Sequence, residues 1–174
     1  MPPDRREILT LAGVGLAAAL AGTVLGPIAL QSHSGASALL STVFPDLAGQ
    51  PRRLRDWNGK VAACNFWATW CEPCREEIPL LISLYDKYRD LGVEIVGIGV
   101  DQPAKIVEFA ANYKITYQLL IGGARALELM RSLGNEAGAL PYTVLLDRRG
   151  AVAHRKLGPF RQGELDEILG PLLR

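Results

Sequence analysis

Short apolar runs alternate with amphipathic segments along most of the chain. Residues 61–66 and 93–100 are runs of apolar and β-branched residues, typical of buried strands. Between them, over 73–89, apolar side chains recur at spacings of three and four, which predicts an amphipathic helix that ends near Gly92. The apolar positions of that helix are Ile78, Leu81, Ile82, Tyr85 and Tyr88.

The same patterns continue to the end of the sequence. They predict a helix over 104–113, a strand over 117–121, a helix over 124–133, strands over 143–147 and 152–157, and a last helix over 164–172. On the first of these helices, the residues expected to face inward are Ile106, Val107, Phe109 and Ala110. The resulting order, β-α-β-α-β-α-β-β-α, predicts an α/β fold with flanking helices and a central mixed sheet, whose late hairpin forms an antiparallel edge.

The first part of the sequence has a different character. Residues 8–30 carry no charge and follow Arg5 and Arg6. An apolar stretch of about 20 residues suffices to span a bilayer, and the small residues at 36–38 suit a signal peptidase. Two interpretations stay open, a signal peptide cleaved after Ala38 and an uncleaved membrane anchor. The arginine pair also leaves both Sec and twin-arginine export open.

Either interpretation predicts a periplasmic or other extracytoplasmic location, where disulfides persist. Residues 32–41 are rich in Ser, Ala and Gly and predict a tether. We therefore expect a signal or anchor with its tether over 1–38 and one domain over 39–174. The formal net charge of +1 gives no indication of a nucleic-acid partner, and a monomer is expected.

The candidate chemistry lies in a Cys-x-x-Cys motif, which directly follows the strand at 61–66 and opens the next helix. A helix N-terminus favours a thiolate, the species that attacks in thiol–disulfide exchange. We therefore predict that Cys71 is the nucleophile and Cys74 the resolving thiol. Pro73 lies at the helix start, where its missing N–H costs nothing. Cys64 is expected to be a small buried residue on the opposite face of the strand from Asn65.

Other chemistry was weighed for the same pair. A structural zinc ion needs four ligands, and beyond the pair only Cys64, His33 and His154 remain. No metal site is therefore expected, nor any cofactor besides a redox-active disulfide. Two alternatives stay open: a metallochaperone that binds Cu(I) through the two thiolates, and a peroxiredoxin-like peroxidase. The peroxidase would be expected to carry a lone reactive Cys after Thr and Pro.

The sequence from 65 to 75, NFWATWCEPCR, resembles the active site of the thioredoxin family. The string WCEPCREEIP at 70–79 is closer to the TlpA/ResA branch, which comprises exported or membrane-anchored bacterial thiol–disulfide oxidoreductases. Further matches are FPDL at 44–47, GALP at 138–141 and DRRG at 147–150. The resemblance covers roughly 44–172 and implies a thioredoxin fold.

The resemblance also implies roles for single residues. Pro141 matches the cis-proline that packs against the active-site disulfide, and the backbone beside it pairs with the substrate chain, so Leu140 and Tyr142 are expected to flank a bound partner. Asn65 stands where thioredoxin has a buried acid, and an amide cannot titrate. Glu77 instead falls where the TlpA/ResA branch carries an acid, so we predict that it tunes thiol pKa or moves protons.

Residues next to the cysteines are expected to tune the redox chemistry. The charge of Glu72 opposes a thiolate on Cys71, which favours a reductase, while Arg75 acts in the opposite direction. Trp67 and Trp70 are expected to be core and rim aromatics of the site. The resemblance implies disulfide-containing protein substrates, among them apocytochromes c and copper-centre proteins, and a membrane electron donor of the DsbD/CcdA kind.

Overall fold

The computed structural model describes residues 35–174, and from residue 61 onward it has the element order that the sequence predicts. The described residues of helix α1 are 35–41, and a small hairpin follows it. Two short 3₁₀ segments occur at Leu54–Trp57 and Arg89–Leu91. The other elements are β1 (Val43–Pro45), β2 (Pro51–Arg53), β3 (Val61–Trp67), α2 (Glu72–Tyr88), β4 (Val93–Gly99), α3 (Pro103–Tyr113), β5 (Gln118–Ile121), α4 (Gly123–Ser132), β6 (Tyr142–Leu146), β7 (Val152–Leu157) and α5 (Glu164–Leu172).

One five-stranded mixed sheet, in the order β5-β4-β3-β6-β7, organises the domain. Strands β3, β4 and β5 run parallel, whereas β6 is antiparallel to β3 and β7 is antiparallel to β6. Every residue of β3 and β4 is buried, because helices cover both faces of the sheet. This explains why those strands appear in the sequence as uninterrupted apolar runs. The predicted α/β class and mixed sheet are confirmed.

The sheet separates two apolar cores. Helices α2, α3 and α5 cover one face, with Ile78, Ile106 and Leu165 buried there. Helices α1 and α4 cover the other, with Leu39 and Met130 buried. Alternation along β3 sends neighbouring side chains to opposite cores.

Two sequence expectations need correction, and one further element was not expected. Residues 35–41 are helical rather than part of a tether: Leu39 is fully buried, and the Thr42 hydroxyl donates to the Ala38 carbonyl at 2.6 Å. Cleavage after Ala38 would therefore cut inside α1. Val107 was expected to face inward but is 44% exposed. The buried residues of α3 are Ile106 and Ala110. The hairpin of β1 and β2 was not expected, since each strand has only three residues and β2 is wholly exposed.

The apolar segment 8–30 lies outside the described residues, as do Arg5 and Arg6. Within 35–174, no helix is long and apolar enough to cross a membrane.

Candidate active site

The two cysteines of the motif lie where β3 passes into α2, and they form a disulfide with the Cα atoms 5.3 Å apart. Cys71 is the N-cap residue of α2, and Cys74 lies on the first turn. Cys71 retains 6% of its surface, whereas Cys74 is fully buried. Of the pair, Cys71 is therefore the residue that an incoming disulfide or thiol reaches first.

The N-terminus of α2 offers the Cys71 sulfur few hydrogen-bond donors. An N-cap side chain ordinarily accepts from the backbone N–H of the second or third helical residue. The second residue of α2 is Pro73, which has no N–H. The N–H of Arg75 donates instead to the Cys71 carbonyl, at 3.1 Å. The N–H of Cys74 is thus the remaining capping donor for a thiolate on Cys71.

Charged and aromatic side chains form the exposed rim. Trp70 is 67% exposed, while Trp67 is fully buried, as the sequence predicts. Glu72 is exposed on the first turn of α2. Arg75 donates to the Tyr113 hydroxyl through Nε and Nη2, at 3.3 and 3.2 Å, which directs its guanidinium toward α3.

Glu77 is a buried carboxyl one turn after Cys74, only 3% exposed. Its Oε1 accepts from Asn65 Nδ2 at 2.7 Å, and its Oε2 accepts from the Phe160 N–H at 3.0 Å. Burial raises the pKa of Glu77 to about 7, against the smaller lowering effects of the Phe160 and Asn65 hydrogen bonds and of the Lys156 charge. Glu77 is therefore not a solvated surface residue, and it changes charge near neutral pH.

Asn65 connects this carboxyl to the strand that follows Pro141. Its Nδ2 donates both to Glu77 and to the Thr143 hydroxyl, the latter at 3.0 Å. The register of the sheet explains the contact, since Asn65 lies directly opposite Thr143. Asn65 itself does not titrate, but it holds the group that does.

The Leu140–Pro141 peptide bond is cis, as the resemblance implies. The buried Asn135 holds the preceding loop, because its side chain donates to the Ala139 carbonyl at 2.8 Å and accepts from the Ala139 N–H at 3.2 Å. Leu140 is half-buried. The Tyr142 side chain is buried, and its hydroxyl donates to the Leu133 carbonyl at 2.7 Å. A substrate could therefore meet Tyr142 only through its backbone.

Several residues of the site were not found from the sequence. They are Thr143, Phe160, Asn135 and Lys156. Lys156 forms an ion pair with Glu164 at 2.7 Å. The strand pairing of 61–66 with 143–147 could have indicated Thr143. Phe160 contributes only its backbone N–H, from an irregular loop after β7, and no sequence pattern marks such a donor.

The third cysteine takes no part in this arrangement. Cys64 is fully buried in the core on the other face of the sheet, and burial raises the pKa of its thiol to about 12. Such a thiol is inert at neutral pH. Among residues 35–174, no three His, Cys, Asp or Glu side chains are grouped closely enough to hold a metal ion.

Comparison with known proteins places this chain in a family. The AhpC/TSA family model matches residues 37–155. The thiol-disulfide oxidoreductase ResA of Geobacillus thermodenitrificans (strain NG80-2) is 36% identical over 128 residues, which cover 73% of this chain and 71% of that protein.

Two solved structures extend the comparison. A thioredoxin-family thiol:disulfide interchange protein from Chlorobium tepidum TLS is 27% identical, with a TM-score of 0.66, and the match covers 76% of this chain and 93% of that one. A secreted thiol-disulfide isomerase from Corynebacterium glutamicum has a TM-score of 0.68 at 23% identity, covering 76% and 83%, and shows the shared fold. The chain belongs to the AhpC/TSA family and is a ResA-like thiol–disulfide oxidoreductase of the thioredoxin superfamily.

Proposed function

We propose that this oxidoreductase is exported, stays attached to the membrane through residues 8–30, and reduces disulfides in extracytoplasmic proteins. The uncharged segment after Arg5 and Arg6 supports export and attachment. The proposed electron donor is a membrane thiol protein of the DsbD/CcdA kind. By resemblance, the proposed substrates are apocytochromes c and copper-centre proteins.

The observation that carries the direction of the reaction is the shortage of donors at the start of α2. A strong oxidant keeps its reduced form stable by stabilising the thiolate. Here Pro73 removes one capping N–H, Glu72 brings a negative charge beside Cys71, and Arg75 is held by Tyr113. Each feature leaves the Cys71 thiolate poorly stabilised. The reduced protein therefore gives up its electrons readily, as a reductase must.

The first step joins enzyme and substrate. The Cys71 thiolate attacks one sulfur of the substrate disulfide, forms a mixed disulfide, and displaces the other substrate sulfur as a thiolate that takes up a proton. Leu140 and the exposed Trp70 are the proposed contacts for the substrate chain, alongside the backbone at Pro141.

The second step releases the product. Cys74 is buried and cannot lose its proton directly to water. Glu77, one turn further along α2, accepts that proton while charged, and the Cys74 thiolate then attacks the Cys71 sulfur. The substrate leaves with both cysteines reduced, and Cys71–Cys74 is oxidised by two electrons. The membrane donor returns those electrons, and Glu77 returns the proton.

The test is the reduction potential of the Cys71–Cys74 couple, measured by thiol trapping in dithiothreitol or glutathione buffers. We expect a value near that of thioredoxin, about −270 mV, or lower. The reduced protein should also reduce a peptide with an oxidised Cys-x-x-Cys-His motif, the haem-attachment sequence of c-type cytochromes. A potential near that of DsbA, about −120 mV, would contradict the reductase assignment.

A further inference from the structure

A basic groove lies where α1 meets the rest of the domain. It has a volume of about 480 Å³ and lies between α1, the 3₁₀ segment Leu54–Trp57 with the residue after it, and the turn between β6 and β7. Its lining includes Ser37, Leu40, Arg55, Asn58, Arg149 and Gly150. We call this the α1 groove.

Among residues 35–174, the charges that line the α1 groove are all positive. Arg55 and Arg149 line it, and no acidic residue of that part of the chain does. Of the nearest acids in sequence, Asp56 accepts from the Arg53 N–H, and Asp147 accepts from the N–H groups of residues 149 and 151. Asp147 Oδ2 also accepts from Arg149 Nε and Nη2, both at 3.4 Å, but the Arg149 side chain is 88% exposed. An exposed pair of this kind holds its arginine weakly.

The α1 groove lies only a few residues after the proposed membrane segment, and this limits its distance from the membrane surface. The uncharged segment ends at Leu30, and α1 is already formed at residue 35. Five Cα-to-Cα steps extend at most about 18 Å. If residues 8–30 stay in the bilayer, as the proposed function holds, α1 and the two arginines lie within reach of the lipid headgroups.

We propose that the α1 groove binds the phosphate groups of anionic lipids and seats this end of the domain on the membrane surface. Guanidinium groups pair well with phosphate oxygens, and Ser37 and Asn58 add neutral hydrogen-bonding groups. An anionic lipid surface also attracts basic residues placed close to a membrane anchor.

Docking of this kind would orient the active site. The α1 groove lies at the start of β3, beside Asn58 and the β6–β7 turn, whereas Cys71 follows the far end of that strand. A seven-residue strand is about 23 Å long. The docked domain therefore presents Cys71 away from the lipid, toward proteins in the surrounding compartment. To reduce the disulfide, a membrane electron donor would need a part that projects from the bilayer. Otherwise the domain would have to leave the lipid surface first.

The test uses the full chain reconstituted in vesicles, with hydrogen–deuterium exchange measured by mass spectrometry. We expect slower exchange at 35–42, 54–58 and 147–151 in phosphatidylglycerol-containing vesicles than in pure phosphatidylcholine vesicles. Each arginine near an anionic surface strengthens binding roughly five-fold, so Arg55→Gln with Arg149→Gln should weaken docking roughly 25-fold. The matched control is Lys105→Gln with Lys114→Asn. It removes two exposed charges, one from α3 and one from the residue that follows it, on the other face of the sheet, and should keep the protection.

Equal exchange in both lipids, or equal protection in the double arginine variant, would overturn the docking proposal. Protection by inorganic phosphate in neutral vesicles would also overturn it, in favour of a soluble anion. An alkaline carbonate wash separates this failure from failure of the proposed function. A chain that stays on the vesicles but shows no lipid-dependent protection contradicts docking alone. A chain that the wash removes contradicts the anchor, and docking falls with it.

Discussion

At the residue scale, two opposing effects meet on the Glu77 carboxyl. Burial disfavours its charged form, whereas the Phe160 N–H, Asn65 and Lys156 favour that form. Burial is the larger effect, so the pKa rises to about 7 instead of the ordinary 4.5. A proton acceptor works best when its pKa lies near the working pH. This balance suits a group that takes a proton from Cys74 and later returns it.

Replacing Glu77 by Gln should slow the resolving step. Gln keeps the shape but cannot accept a proton, so we expect about a 100-fold slower release of the mixed disulfide. The measurement is a rapid quenched-flow reaction of reduced enzyme with a disulfide peptide. Acid stops the reaction, and mass spectrometry measures the mixed disulfide. Glu76→Gln, which changes an exposed neighbour by the same charge, is the control and should react like the natural protein. Equal rates in the two variants would remove Glu77 from the mechanism.

Asn65 should act through Glu77 as a positioning residue. Asn65→Ala removes a hydrogen bond to the charged carboxylate, which should raise the pKa of Glu77 and move the pH profile of the resolving step upward by about one pH unit. Thr143→Val is the control, because it removes the other hydrogen bond of Asn65 and leaves the bond to Glu77 intact. A lower rate with an unmoved pH profile would mean that Asn65 has only a structural role.

At the scale of elements, the start of α2 sets the redox direction through Pro73. Pro73→Ala restores the N–H of the second helical residue, which can then donate to a thiolate on Cys71. The reduced form gains stability, so the reduction potential should rise by about 10–30 mV, since 30 mV corresponds to about 1.4 kcal/mol. Pro79→Ala, a proline within the same helix but beyond its first turn, is the control and should leave the potential unchanged. A fall in the potential of Pro73→Ala would contradict the capping argument.

The elements from residue 61 onward were predictable because their periodicity matches their burial. The apolar run of β3 is buried on both sides, and the amphipathic pattern of α2 matches the buried Ile78 and Leu81. Helix α1 was missed because its small and polar composition is typical of a linker. Leu39 is its one fully buried leucine, with the partly buried Ala38 and Leu40 beside it, and three adjacent apolar residues give no helical periodicity.

At the scale of the whole molecule, only those site residues that lie close together in one segment of the sequence were predictable. The cysteines, Pro73 and Glu77 lie in the first turns of one helix, so their spacing indicated their chemistry. The environment of Glu77 comes from β3, from the loop after β7 and from Lys156 on β7. The pairing of β3 with β6 and of β6 with β7 brings these parts together. No local pattern specifies the burial that changes the carboxyl's pKa.

The raised pKa of Glu77 also makes the stability of the oxidised protein depend on pH. Below about pH 4.5 the carboxyl holds its proton in both the folded and unfolded states. As the pH rises toward 7, the unfolded chain releases that proton while the folded one keeps it, so folding becomes less favourable. The free energy of unfolding should therefore fall, by about 3 kcal/mol at most, relative to Glu77→Gln. The loss should be complete once the pH has passed the folded-state pKa.

Urea unfolding of the oxidised protein at about pH 5 and about pH 8 measures this effect as a difference between variants. Glu77→Gln loses one hydrogen bond at every pH, but that offset does not change with pH and cancels. The depressed pKa values of carboxyls such as Asp46 and Asp166 act alike in both proteins and cancel too. Glu76→Gln should follow the natural protein. If Glu77→Gln lost as much stability between the two pH values as the natural protein, Glu77 would be charged in the folded protein at both pH values, and burial would not raise its pKa.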